Sequence, residues 1–190
     1  MFTTVCAYVL IVLFLVVERR LRQGKEAASL EAGTFDRGST RYIGYAFAVT
    51  FAMLLLAPVL NLLEVASINA PAVGWIGLVL MIVGLALRYW ASVTLGAFYT
   101  RTLLVKSDHH VVDTGPYRLI RNPGYLGDIV LFIGGGLAVL NWLAAITIGV
   151  VILAAYVYRI RVEETMLVSA LGEPYKTYMT HTWRLIPLIY

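Results

Sequence analysis

Five apolar runs, each closed by polar or turn-forming residues, set the pattern of this chain. The first, Phe2 to Val17, is short for a membrane span of roughly 20 residues and stops at Glu18-Arg19-Arg20. Its positive charge follows the apolar residues and no small-residue cleavage site appears, so it predicts a first span and not a signal peptide. Tyr42 to Leu60 predicts a second span and Ala72 to about Val93 a third, joined by a loop whose only charge is Glu64. Ile129 to Leu140 and Leu143 to Tyr158, separated by Asn141-Trp142, predict a tight helical hairpin. The expected fold is all-α: a polytopic membrane protein of about five transmembrane helices, forming one domain over residues 1–190.

Composition strengthens this picture. The chain is 60% hydrophobic and 14% charged, whereas soluble domains carry about 25% charged residues. The lone Cys6 sits inside an apolar run, which excludes a disulfide framework or a cysteine-based metal site and leaves a small buried hydrophobe. The net charge of +4 does not point to nucleic acid, because the basic residues flank the spans. All 15 Lys and Arg fall in residues 18–41, at Arg88, in 101–121 or from Arg159 onward, on one side of a five-span arrangement. The positive-inside rule then places the N terminus outside, and residues 18–41, 94–123 and 159–190 in the cytoplasm. Gly77, Gly84 and Gly134-Gly135-Gly136 suit close approach of helices.

Two stretches break the apolar pattern with chemistry-bearing residues. The first is His109 to Asp128, HHVVDTGPYRLIRNPGYLGD, where Gly115-Pro116 and Asn122-Pro123 signal turns and predict a shaped loop. Asp128 opens an apolar run, where an acid caps the fourth helix or faces a site. Arg88, beside Tyr89 and Trp90 near the end of the third span, fits an interfacial anchor or a site residue. The second stretch is the tail from Arg159, which reads as two short helices: helical character continues from the fifth span through Glu163 and Leu167 to Gly172, and a second helix is started by Pro174 and closed off by Pro187. Arg159 and Glu163 are four residues apart and share a helix face where a span meets the cytoplasm. No metal is expected, because adjacent His109 and His110 point apart and no H-x-x-x-H or H-E-x-x-H spacing exists.

The pattern H-x-V-V-x-T-G-P-Y-R-x-x-R-N-P-x-Y-x-G, two apolar segments, then R-x-x-x-E-E and G-E-x-Y-x-x-Y, resembles the isoprenylcysteine carboxyl methyltransferase and phospholipid methyltransferase superfamily over roughly the C-terminal half. That resemblance implies an integral membrane enzyme using S-adenosylmethionine, its site built from the 94–128 loop and the C-terminal helices. It implies cofactor contacts from Thr102, His109, His110, Val111, Val112, Tyr117, Asn122, Pro123, Gly124, Tyr125, Glu163 and Glu164, and a catalytic, substrate-positioning role for Arg159 and Arg121. One departure is Asn122 where the family commonly has histidine; asparagine keeps a donor and an acceptor but cannot act as a base near neutral pH.

The chemistry sets its own requirements. Methyl transfer from a sulfonium is an in-line displacement, so positioning and desolvation supply most of the catalysis, and a carboxylate acceptor needs no base. The cofactor's ammonium asks for an anion, Glu163 or Glu164, and its adenine for a flat apolar slot, which Tyr117 and Tyr125 can line. The expected partners are the lipid bilayer and an amphiphilic, lipid-like or prenylated substrate, with a carboxylate acceptor first and a phospholipid or amine second. A competing class is an NADPH-dependent steroid or sterol reductase, whose related C-terminal segment Leu126-Gly127-Asp128 resembles. The R-x-x-x-E-E spacing of the tail suits the methyltransferase.

Overall fold

A computed structural model describes residues 1–21, 36–96 and 110–190. The described residues form helices α1 (Phe2–Leu21), α2 (Ser39–Leu62), α3 (Pro71–Leu95), α4 (Pro123–Ala138), α5 (Trp142–Leu171) and α6 (Glu173–Thr180), with a 3-10 turn over Gly115–Arg118. Four of these helices, α1, α2, α3 and α5, are long and apolar enough to cross a bilayer, and α4 is a shorter apolar helix. The five-span all-α architecture is therefore what the chain adopts.

Local chemistry explains the helix boundaries. Pro71 and Pro123 stand in the first turns of α3 and α4, where a missing N–H costs nothing. The Asn141 side chain accepts from Ala144 N at 3.0 Å and caps α5. Gly172 ends α5 at φ 61°, a left-handed angle that suits a residue without Cβ.

Successive helices from α1 to α5 run in opposite directions, with α1 parallel to α3 (Phe2 against Trp75, Glu18 against Arg88), so one end collects the α1 C terminus, the α2 N terminus, the α3 C terminus, the α4 N terminus and the C-terminal half of α5. The opposite end is zipped by polar groups: Asn61 Nδ2 donates to Val139 O (2.8 Å), Asn141 Nδ2 donates to Asn61 Oδ1 (2.8 Å), and Trp142 N donates to Ala66 O (3.0 Å). Between the two ends, buried Phe132 of α4 meets Phe14, Phe47 and Phe51 edge-on.

The tightest seam joins α3 to α4. A Cβ built on Gly77 would lie 2.6 Å from Gly134 O, and one on Gly84 would lie 2.6 Å from Gly127 O. These glycines let two backbones touch, as their spacing predicts.

Three expectations are corrected. The central polar stretch is not loop as far as Asp128: α4 begins at Pro123, because proline starts helices well and Gly124 and Gly127 pack against α3. Asp128 consequently lies inside α4, fully buried, and its carboxylate meets Arg88 Nη1 at 3.3 Å. It does not cap the helix. Arg88 is likewise no snorkelling anchor: it is buried, and its Nε donates to Glu18 Oε1 of α1 at 2.9 Å. In the tail, the helix of the fifth span continues to Leu171 with Gly172 as its C-cap, as expected, but the last helix stops at Thr180, before Pro187.

Candidate active site

At about 1.5 Å per residue, α5 is about 45 Å long and outreaches a hydrocarbon core of about 30 Å. Its C-terminal half carries Arg159, Glu163 and Glu164. The short α4 brings its N-terminal Tyr125 to the same level. There the Tyr125 hydroxyl donates to Glu163 Oε2 at 2.6 Å and receives Arg159 Nε at 3.4 Å. One phenol thus bridges the carboxylate and the guanidinium that the sequence places on one face of α5.

Arg159 is held from its other side as well. Its Nη1 donates to Asp36 Oδ1 (3.0 Å), Ser39 Oγ (2.8 Å) and Thr40 Oγ1 (3.1 Å) at the start of α2. Both side chains of the Arg159–Asp36 pair are almost wholly buried. Burial works to raise the Asp36 pKa, but hydrogen bonds from Thr40 and Ser39 and the Arg159 charge outweigh it and hold the carboxyl below its usual range.

Behind Tyr125, the Tyr156 ring stacks on it at 4.7 Å, and the Tyr156 hydroxyl donates to Asp128. A buried polar chain therefore runs from Glu18 through Arg88, Asp128 and Tyr156 to the ring that touches Glu163.

A second cluster ties the loop to the tail. Arg121 Nε lies 2.9 Å from Glu164 Oε1, and Arg184 Nη2 lies 2.8 Å from Glu164 Oε2. Arg121 Nη1 also donates to the carbonyls of Met179 (3.1 Å) and Thr182. The backbone continues the latch, with Arg121 N donating to Trp183 O (2.7 Å) and Trp183 N donating to Leu119 O (2.9 Å). Asn122 Nδ2 donates to Arg184 O at 2.8 Å, so the residue that replaces the expected histidine serves the latch. Tyr178 donates to Tyr117 O at 2.6 Å; its phenol is pushed upward chiefly by burial. Tyr175 is pushed up by burial and by the negative charge of Glu163 and Glu164.

The structure thus gathers Tyr125, Arg159 and Glu163 at one point and Arg121, Asn122, Glu164 and Tyr117 in an adjoining latch. Pro123 and Gly124 are buried in the first turn of α4, where they set the direction of Tyr125. His110 is exposed, with Val111 and Val112 half-buried beside it. Thr102 and His109 lie outside the described residues. Glu18, Asp36, Tyr156 and Arg184 escape the sequence reading. The only signal for the first two is an acid beside a span, with nothing to name its partner. Among the described residues no group of His, Cys, Asp and Glu is placed to hold a metal.

Comparison with known proteins sets this geometry among its relatives. The model of the isoprenylcysteine carboxyl methyltransferase (ICMT) family matches residues 75–169, half of the chain. The probable protein-S-isoprenylcysteine O-methyltransferase of Oryza sativa subsp. indica is 30% identical over 153 residues, which cover 76% of this chain and 76% of the relative. The protein-S-isoprenylcysteine O-methyltransferase of Saccharomyces cerevisiae is 34% identical over 116 residues, covering 60% of this chain and 48% of the relative. Among solved structures, the eukaryotic intramembrane Ras methyltransferase ICMT matches with a TM-score of 0.61 and 27% identity, over 79% of this chain and 52% of that one.

Proposed function

The chain belongs to the isoprenylcysteine carboxyl methyltransferase family, a family of membrane methyltransferases, and from that premise we propose that it transfers methyl from S-adenosylmethionine to the carboxylate of a prenylated cysteine or a similar lipid-like acid. The observation that carries this reading is the Tyr125 bridge, which holds an anion and a cation on either side of one hydroxyl. A cationic donor and an anionic acceptor need that pair of opposite charges in one place.

The residues present fit the cofactor. Glu163 would offer a carboxylate to the ammonium or the sulfonium, and the Tyr125 ring beside it would offer an apolar face. When bound, the cofactor would supply an electrophilic methyl on sulfur. Arg159 would hold the acceptor carboxylate, and the product would be a methyl ester, which asks no residue to take a proton. The Arg121–Glu164–Arg184 latch keeps the tail over the loop and limits entry of water.

The same reading orients the protein. The one-sided Lys and Arg distribution puts the candidate site on the cytoplasmic face, with the N terminus outside. All 190 residues then act as one domain: three N-terminal spans, and a loop, hairpin and tail that carry the site. The reductase alternative finds no support among these relatives. Calorimetry in detergent tests the cofactor assignment: the purified chain should bind S-adenosylmethionine and its demethylated product with comparable affinity. Heat with NADPH and none with either of these ligands would overturn it.

A further inference from the structure

Arg159, which the proposed function gives to the acceptor, is gripped by a segment that no motif marks. Asp36, Ser39 and Thr40 lie outside residues 75–169 and more than a hundred positions from Arg159 in the chain. They nevertheless hold it more closely than Tyr125 does.

We infer that Asp36, with the hydroxyls of Ser39 and Thr40, is a positioning group that fixes the Arg159 guanidinium by Nη1 and so sets the orientation in which it meets the acceptor carboxylate. This inference rests on the functional reading above and adds to it a contribution from the N-terminal half of the chain.

Three features support it. The three contacts converge on one nitrogen of Arg159, and a planar guanidinium clamped at Nη1 is fixed in orientation. The cradle is itself rigid: Ser39 Oγ donates to Asp36 Oδ1 at 2.9 Å, Thr40 Oγ1 donates to it at 2.7 Å, and Ser39 N donates to Asp36 O at 2.7 Å. By contrast, Arg159 Nε reaches Tyr125 at 3.4 Å, beyond the usual span of about 2.7–3.2 Å for such bonds, which is a contact that an incoming carboxylate can replace. The Asp36 carboxylate bonds to Ser39, Thr40 and Arg159, so its route to the acceptor runs through Arg159.

The test is steady-state kinetics of the full chain in detergent, with S-adenosylmethionine and an N-acetylated S-prenylcysteine, for Asp36→Asn and for the pair Ser39→Ala, Thr40→Val. Asp36→Asn keeps the side-chain shape and removes the charge, so the acceptor KM should rise about 5- to 30-fold, with the cofactor Kd by calorimetry changed less than about twofold. The hydroxyl variant should shift the acceptor KM in the same direction by about 2- to 5-fold, and it decides the matter if Asp36→Asn fails to fold. Folded variants with an unchanged acceptor KM, or with cofactor Kd and acceptor KM rising together, would overturn the inference. A wild-type chain that methylates no carboxylate would instead overturn the functional reading, and the inference with it.

Discussion

Arg88 of α3 and Asp128 of α4 meet at 3.3 Å with both side chains almost wholly buried. Arg88 reaches Glu18 of α1 with its Nε, so one cation ties three helices together at the level of the candidate site. Removing the cation leaves two acids in a poorly solvated place. Arg88→Met should cost about 3–5 kcal/mol of stability, as breaking a buried pair usually does. Thermal unfolding in detergent checks this, and a variant that melts with the wild type would contradict the role given to Arg88.

The glycine seam yields a paired prediction. A larger side chain in place of Gly84 would drive a Cβ to within 2.6 Å of Gly127 O, and backbone on both helices must move. Gly84→Leu should therefore destabilise by about 1–3 kcal/mol or more. A Cβ on Gly44, inside α2, would meet nothing within 4 Å, so Gly44→Ala should be neutral or stabilising by about 0.4–1 kcal/mol. The same unfolding assay reads both, and equal losses would refute the close-contact account.

The two members of the α5 face should fail differently. Glu163→Gln removes a charge-assisted contact worth roughly 1.5–3 kcal/mol, so S-adenosylmethionine affinity should fall about 10- to 150-fold. Arg159→Lys keeps the charge and loses the planar fork, so turnover should drop while cofactor affinity stays close to wild type. Calorimetry and initial rates separate them. Equal loss of cofactor binding in both would mean that the pair is one structural unit.

Acid should expose Asp36. Its folded pKa is lowered, so its contribution to stability is complete above the unfolded carboxylate value of about 3.9 and is lost as the pH falls through the lower folded value. The melting temperature of wild type should exceed that of Asp36→Asn by a constant margin from neutral pH to about pH 5, and the margin should close below about pH 4. A margin that closes near pH 6 would show that some other group is responsible.

The spans are legible because hydropathy is a bulk signal: the first three apolar runs are helices within a few residues of their expected ends, whereas α4 starts at Pro123, ahead of its apolar run, and α5 continues to Leu171, well past its own. Asp128 was misplaced because Asn122-Pro123 looks like a turn, and proline starts a helix as readily as it ends one. Arg88 beside Tyr89 and Trp90 looked like an interfacial anchor, since only tertiary packing brings Glu18 and Asp128 to it. Arg159 and Glu163 were legible from their four-residue spacing. Their bridge through Tyr125 was not, because it links residues 34 and 38 positions apart on different helices. Asp36 was invisible for the same reason at longer range.

The central claim is carboxyl methylation, and the product's bond type tests it most directly. Purified protein incubated with methyl-labelled S-adenosylmethionine and an N-acetylated S-prenylcysteine should transfer label into the lipid-like acid, and mild base should release that label as methanol, because the product is an ester. Label that withstands base, as an N-methyl group does, or no transfer to this acceptor alongside transfer to an amine or a phospholipid head group, would contradict the account.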